Sequence, residues 1–186
     1  MNNYVHLLES PKPSIVIVTG PSGTGKTFQA CKVGQKVLSD RQYERIVLTR
    51  PAISVGNENH GFIPGDISQK MNPWIKPSLD YIDQHKKIEI CPLSFMRGRT
   101  FDKSWIIADE MQNSTKEQML MLLTRIGFGS KMIIIGDPDQ TDIPSGYNGL
   151  EDLLNRLVVS DEISHVRLKD VKRHAVINEI LNIYKD

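Results

Sequence analysis

Short apolar runs recur along the chain, and a glycine, a proline or an acidic residue follows each within two positions. The runs are rich in Val and Ile, and several are apolar almost throughout instead of alternating with polar residues. This pattern is typical of strands that are buried on both faces of a parallel sheet. We predict five such strands, at residues 14–19, 45–49, 87–91, 105–108 and 131–135.

Helical segments lie between these strands, at residues 26–40, roughly 73–85, and 116–126. The alternation predicts an α/β fold with a mostly parallel sheet and helices on both faces. Three glycines and three prolines lie within residues 51–73, where we expect a long, ordered and functional loop.

The tail after residue 137 begins as a loop and then continues the same pattern. It predicts a helix at 150–157, a strand at 165–168 and a last helix at 171–184. No repeat or flexible linker interrupts the sequence, so we expect residues 1–186 to form a single domain.

The composition is ordinary for a globular protein, with 39% hydrophobic and 24% charged residues. A net charge of +1 gives no overall attraction for nucleic acid, so any such binding would need a local basic patch. Cys31 and Cys91 lack metal-ligand spacing, and we expect both to be buried thiols of a reducing compartment. No stretch suits a signal peptide or a membrane span, which predicts a cytoplasmic protein.

A phosphate-binding motif follows the first predicted strand and opens the first long helix. Residues 20–27 match G-x-x-x-x-G-K-[ST], in which glycines let backbone N–H groups converge on phosphate oxygens at a helix N-terminus. Lys26 would reach the β and γ phosphates of ATP, and the Thr27 hydroxyl would bind Mg²⁺. A glycine-rich structural turn is the alternative. The residues expected to contact the nucleotide are Gly20, Pro21, Ser22, Gly23, Thr24, Gly25, Lys26, Thr27 and Phe28.

Two acids end the predicted strand at 105–108. A phosphate loop needs a carboxylate at a strand end to hold its metal ion, usually through water. We assign this role to Asp109, and we assign Glu110 the role of the general base that polarises the attacking water. Without the upstream motif, a solvated turn would explain the same two residues.

The next predicted strand ends in Gly-Asp-Pro-Asp-Gln. Since this strand is expected beside the acidic one, Gln140 would lie near the γ-phosphate and sense it or position water. The alternative is a turn without chemistry.

With these three elements placed, the chain resembles the PhoH family of ATPases, which is related to the first core domain of superfamily 1 helicases. The resemblance runs from about residue 15 to residue 154, and more weakly to residue 186. Besides the phosphate loop, the segments that carry it are RIVLTRPA at 45–52, GFIPGD at 61–66, PL at 92–93, MRGRT at 96–100, DEMQN at 109–113 and LTRIGFGSKM at 123–132.

The resemblance implies a RecA-like ATPase core that uses ATP, ring-shaped homo-oligomers such as hexamers, and RNA or DNA remodelling in part of the family. Larger relatives carry an N-terminal PIN nuclease domain or a longer lead-in that helps to recognise the base. Because about a dozen residues precede the first strand here, we expect no nuclease activity and a less secure adenine specificity. Helicase activity is left open.

Hydrolysis at such sites accelerates when an arginine stabilises the transferring phosphoryl group. With one core per chain, a neighbouring subunit would supply it, and the family resemblance points to Arg173. Arg97, Arg99 and Arg125 compete with it, and for each a surface or salt-bridged arginine is the alternative.

A single nucleic-acid strand is the other partner that we expect, with Arg50, Arg97 and Arg99 as its contacts. Trp74 could offer a stacking face, although a core position is the commoner role of such a tryptophan. Two other function classes stay open. One is a small-molecule kinase with the same phosphate loop, and the other is a nucleotide-gated scaffold that hydrolyses rarely.

Overall fold

A computed structural model describes residues 2–51, 79–82, 87–143, 148–171, 176–177 and 183. Six parallel strands in this part of the chain form one sheet in the order β3-β2-β4-β5-β1-β6. The strands are β1 (Ile15–Thr19), β2 (Arg45–Thr49), β3 (Ile88–Ile90), β4 (Ser104–Ala108), β5 (Lys131–Gly136) and β6 (Ile163–Arg167).

The predicted strands are confirmed, with small differences in their bounds. The largest concerns β6, which begins two residues before the predicted start because its whole length pairs with β1. Ile163 lies opposite Ile15, and Arg167 lies opposite Thr19. The strand that precedes the phosphate loop is therefore an interior strand, with β5 on one side and the edge strand β6 on the other.

Four α-helices have both of their ends within the described residues, and the last two of these begin at a side-chain cap. The third starts with a capping box between Thr115 and Gln118 and ends three residues before the predicted end. The chain leaves it because the N–H of Gly127 bonds to the carbonyl of Phe101 next to β4. The helices are α1 (Asn2–Glu9), α2 (Lys26–Ser39), α3 (Lys116–Leu123) and α4 (Gly149–Arg156), with 3₁₀ turns at Leu93–Met96 and Met111–Asn113.

The core consists of two apolar layers, one on each face of the sheet. Val16 and Val18 point to the layer beneath α1 and α2, whereas the alternate residues Ile15 and Ile17 point to the layer beneath α3 and α4. Alternation along a strand sends neighbouring side chains to opposite faces. The predicted α/β arrangement with helices on both faces is thus confirmed.

Helix α1 has no counterpart among the predicted elements. Tyr4 and Leu8, one turn apart, are buried against the sheet. The Nζ atom of Lys131, a fully buried residue of β5, donates to the carbonyls of Leu7 at 2.8 Å and Ser10 at 2.5 Å. These contacts satisfy carbonyl groups at the end of the helix, so tertiary packing stabilises a segment of weak local signal.

Some predictions lie outside the described residues: most of the loop at 51–73 and of the helix at 73–85. Of the last predicted helix, Val171 is described and is not helical, whereas Val176, Ile177 and Ile183 are helical. Cys31 and Cys91 are buried free thiols, as predicted. None of the helices in the described ranges combines the length and the apolar character of a bilayer-spanning segment.

Candidate nucleotide site

The phosphate loop joins the end of β1 to the start of α2. Gly20, Gly23 and Gly25 have φ angles of 136°, 85° and 83°, a region that side chains with a Cβ avoid. The hydroxyl of Thr24 donates to the carbonyl of Pro21 at 2.9 Å and closes the turn. Gly25 directly precedes α2, so the N–H groups of the first helical turn face the loop, as an anion site requires.

Lys26 folds back over the loop that it follows. Its ammonium group donates to the carbonyls of Gly20 at 2.6 Å and Pro21 at 3.0 Å. The backbone carbonyl of Lys26 accepts a 3.0 Å hydrogen bond from the hydroxyl of the buried Tyr4. The charge is thereby held above the turn on which phosphates would bind.

Thr27 and Asp109 meet across the end of the sheet. The Thr27 hydroxyl donates to Asp109 Oδ2 at 2.9 Å, and the backbone N–H of Glu110 donates to Asp109 Oδ1 at 3.0 Å. Burial, aided by the neighbouring charge of Glu110, raises the pKa of Asp109 to about 6, although the Thr27 hydrogen bond and the charge of Arg50 oppose this shift.

Glu110 starts the Met111–Asn113 turn with a φ of 55°, an uncommon conformation for a residue with a side chain. Its Oε2 atom accepts a 2.6 Å hydrogen bond from Nε2 of Gln112. The Gln112 side chain is buried, and its Oε1 accepts a 3.2 Å hydrogen bond from the N–H of Asp137. Nothing in the pattern of apolar and polar residues singles out Gln112, although it lies within the DEMQN segment.

A cavity of about 220 Å³ lies beside the phosphate loop and Asp109, and the loop after β5 borders it as well. Gln140 lines this cavity together with Asp109, Glu110 and all residues of 22–28 except Thr24, so the structure brings the three predicted motifs together. Four lining residues had no role assigned from the sequence: Tyr81, Gln112, Gly136 and Asp137. Tyr81 packs edge-on against Phe28, with ring centroids 5.3 Å apart.

The oxygen atoms of Thr27 and Asp109 fit a hard cation that takes its remaining ligands from outside the protein. Within the described residues, no three His, Cys, Asp or Glu side chains cluster as a protein-built metal site would require. A divalent ion here would complete its shell with phosphate and water oxygens, as Mg²⁺ does in nucleotide sites.

The predicted arginines differ in their surroundings. Arg50 follows β2 and lies close enough to Asp109 to affect its pKa, at the carboxyl edge of the sheet. Arg99 pairs with Glu89 at 2.5 Å. It also covers the ring of Phe101, which lies before the amino end of β4.

Arg125 lies with Arg99, because its guanidinium donates to the Arg99 carbonyl at 3.2 Å and to the Met121 carbonyl at 3.1 Å. Arg97 is exposed to solvent. Arg173 lies outside the described residues.

Comparison with solved structures relates this geometry to one known fold. The structure of the Pif1 helicase from Candida albicans matches 98% of this chain and 42% of that chain, with a TM-score of 0.51 and 16% sequence identity. This likeness concerns the fold alone, and it agrees with the parallel sheet and the phosphate loop. The fold is that of a RecA-like P-loop NTPase.

Sequence comparison identifies closer relatives. The chain is 42% identical to a PhoH-like protein of Bacillus subtilis, 40% identical to one of Synechocystis, and 34% identical to Protein PhoH of Escherichia coli K12. These alignments cover 99%, 94% and 98% of this chain but only 62%, 57% and 55% of the relatives, so the chain spans little more than half of their length. The family model described as PhoH-like protein matches residues 2–185, and the chain belongs to that family.

Proposed function

We propose that the chain binds ATP with Mg²⁺ and hydrolyses it to ADP and phosphate. The observation that carries this proposal is the 2.9 Å contact between the Thr27 hydroxyl and the Asp109 carboxylate. One residue belongs to the phosphate loop after β1, and the other directly follows β4, which β5 separates from β1 in the sheet. In P-loop NTPases such a pair holds the metal ion.

Each residue then has a distinct part in hydrolysis. The N–H groups of residues 22–27 and the Lys26 ammonium hold the phosphates, while Thr27 and Asp109 hold the cation. When bound, Mg²⁺ neutralises charge on the β and γ phosphates. Glu110 accepts a proton from the attacking water, and Gln140 orients that water or contacts the γ-phosphate.

Phosphate release from ATP, measured without any acceptor molecule, tests this proposal. We expect turnover in the wild type, loss of both binding and turnover in Lys26→Ala, and loss of turnover with intact binding in Glu110→Gln. A requirement for a phosphoryl acceptor would indicate a kinase instead. Tight ATP binding with no release would indicate a nucleotide-gated scaffold, although Glu110 makes no ion pair with any described residue that would divert it from catalysis.

An arginine from a second subunit completes this proposed site. We propose Arg173 for that role in a ring-shaped homo-oligomer, and Arg97 as the next candidate because it is exposed. Arg99 and Arg125 are held by Glu89 and by backbone carbonyls. Arg173→Ala should abolish turnover and spare ATP binding. Mixing the Arg173→Ala protein with the Lys26→Ala protein should restore part of the activity. Full activity of Arg173→Ala, or of a proven monomer, would contradict the proposal.

Binding of single-stranded RNA or DNA is a second proposed activity. The likeness to a helicase fold favours it, and so does Arg50, which directly follows β2 and lies close enough to Asp109 to affect its pKa. A binding isotherm with single-stranded RNA and DNA should weaken as salt rises, and Arg50→Ala should reduce the slope. Binding that is absent or independent of salt would contradict this proposal.

A further inference from the structure

The side-chain amide of Gln112 connects two parts of the site that belong to different strands. Nε2 donates to the Glu110 carboxylate after β4 at 2.6 Å, and Oε1 accepts from the backbone N–H of Asp137 after β5 at 3.2 Å. The side chain is only 3% exposed, so water does not compete freely for either bond. A short hydrogen bond to a charged carboxylate is among the stronger ones in proteins.

The fit around this amide leaves little freedom. A Cβ atom at Gly136 would lie 2.7 Å from Gln112 Oε1 and 3.1 Å from the Gln112 backbone nitrogen, so a side chain there would push the amide away. The backbone carbonyl of Gln112 accepts a further hydrogen bond from the Thr141 hydroxyl at 3.0 Å. Both ends of the residue are thus tied to the loop that carries Gln140.

A second tie between the same two segments does not reach the acidic pair. Asn113 Nδ2 donates to Asp142 Oδ2 at 3.2 Å, and the Asp142 N–H donates back to Asn113 Oδ1 at 2.8 Å. This reciprocal pair holds the Met111–Asn113 turn on the loop without any hydrogen bond to the Glu110 carboxylate, although the backbone N–H of Asn113 donates to the Glu110 carbonyl at 3.0 Å. Asn113 therefore offers a matched control. Like Gln112, it joins the turn to the loop, but its side chain makes no hydrogen bond to the Glu110 carboxylate.

We propose that Gln112 is a positioning residue that couples the Glu110 carboxylate to the loop bearing Gln140, so that movement of this loop on a γ-phosphate also sets the general base. The inference rests on the proposed hydrolysis. It deepens that function, because it makes the base respond to the residue that senses the phosphate.

The test compares three variants with the wild type for phosphate release and for binding of a non-hydrolysable ATP analogue. Gln112→Met keeps the volume and removes both hydrogen bonds. Gln112→Glu keeps the acceptor for Asp137 and removes the donor to Glu110. Asn113→Ala removes only the second tie.

We expect kcat to fall roughly 100-fold in both Gln112 variants, the scale of a misplaced general base, while the analogue still binds as in the wild type. Asn113→Ala should keep kcat close to that of the wild type. Equal losses in Asn113→Ala and Gln112→Met would show a merely structural role and overturn the inference, as would full turnover in Gln112→Glu.

A double-mutant cycle tests the coupling itself. If Gln112 transmits the position of the loop, Gln112→Met and Gln140→Ala together should reduce kcat by less than the product of their separate effects. Independent effects that multiply would overturn the inference.

Failure of the proposed hydrolysis would be recognisable separately, as ATP binding without phosphate release in the wild type. The inference would then be decided by the ¹⁵N-labelled side-chain amide of Gln112. Its resonance should shift when Mg-ATP binds and should shift less in Gln140→Ala. An unchanged resonance in the wild type would overturn the inference.

Discussion

The hydroxyl of Tyr4 donates to the backbone carbonyl of Lys26 at 3.0 Å, and this bond ties the N-terminal helix to the first residue of the phosphate-loop helix. Tyr4 is fully buried, so the bond is made away from solvent. Helix α1 therefore supports the segment that is expected to bind phosphate, although it lines none of the cavity beside Asp109.

Tyr4→Phe removes only this hydrogen bond. We expect it to lower the free energy of unfolding by about 1 kcal/mol, the usual net value of such a bond, and to weaken binding of an ATP analogue. Chemical denaturation and calorimetry measure the two effects. Tyr43→Phe is the matched control, since the Tyr43 ring packs edge-on against Trp105 and its hydroxyl bonds to no described residue. Equal effects in both variants would contradict the role of Tyr4.

Asp109 predicts how pH affects cation binding. Because its pKa in the folded protein is about 6, a proton competes with Mg²⁺ for the carboxylate below that pH. We expect the affinity for Mg-nucleotide to fall about tenfold per pH unit below 6 and to be level above it. Titrations in Asp109→Asn should lack this dependence on pH. A wild-type affinity that is constant from pH 5 to pH 8 would be the contrary result.

The raised pKa of Asp109 affects the stability of the metal-free protein in the opposite direction, because low pH weakens cation binding but stabilises the folded state. The folded pKa exceeds the ordinary value of 3.8, so the native state binds more protons between pH 3.8 and about 6. The stability that this provides is present at low pH and is lost as pH rises through that window. Denaturation curves with a chelator, compared with those of Asp109→Asn, should show this loss.

The backbone of Glu110 allows strain to be separated from chemistry. At a φ of 55°, a residue with a Cβ costs about 1 kcal/mol or more relative to glycine. Glu110→Gly and Glu110→Ala both lack the carboxylate and should both lack turnover. The glycine variant should nevertheless be the more stable by about 1 kcal/mol in thermal or urea unfolding. Equal stabilities would mean that the conformation relaxes once the side chain is removed.

Lys131 and Lys36 both bind α1, one inside the protein and one at its surface. Lys131→Met leaves buried carbonyls at the end of α1 without their donor, and we expect a loss of about 2 kcal/mol in the free energy of unfolding. Lys36→Met removes the exposed pair with Glu9 and should have little effect. Urea denaturation of the two variants, side by side, provides the test. Similar losses would show that burial does not decide the result.

Much of this protein follows from its sequence because the signals are local. Buried parallel strands appear as apolar runs, and the spacing of Gly20 to Thr27 fixes a turn whose geometry few other residues allow. The meeting of Asp109, Glu110 and Gln140 was predictable, because parallel strands have their carboxyl ends on the same side of the sheet. Residues that directly follow such strands therefore lie close together.

What could not be predicted depends on contacts between distant segments. Helix α1 is short and gains its stability from Lys131, more than 120 residues away in the sequence. The side-chain amide of Gln112 reaches the end of β5, where Gly136 has no side chain to obstruct it. No spacing of residues in the sequence indicates this contact.

The pairing of β6 with β1 gives the C-terminal third of the chain an unexpected importance. Without β6, the strand that leads into the phosphate loop would have an open edge, with a row of unpaired N–H and C=O groups that invites association with other chains. The carbonyl of Leu168, just after β6, also lies where any side chain at Gly20 would be. A chain shortened before residue 163 should therefore aggregate instead of merely losing affinity for nucleotide.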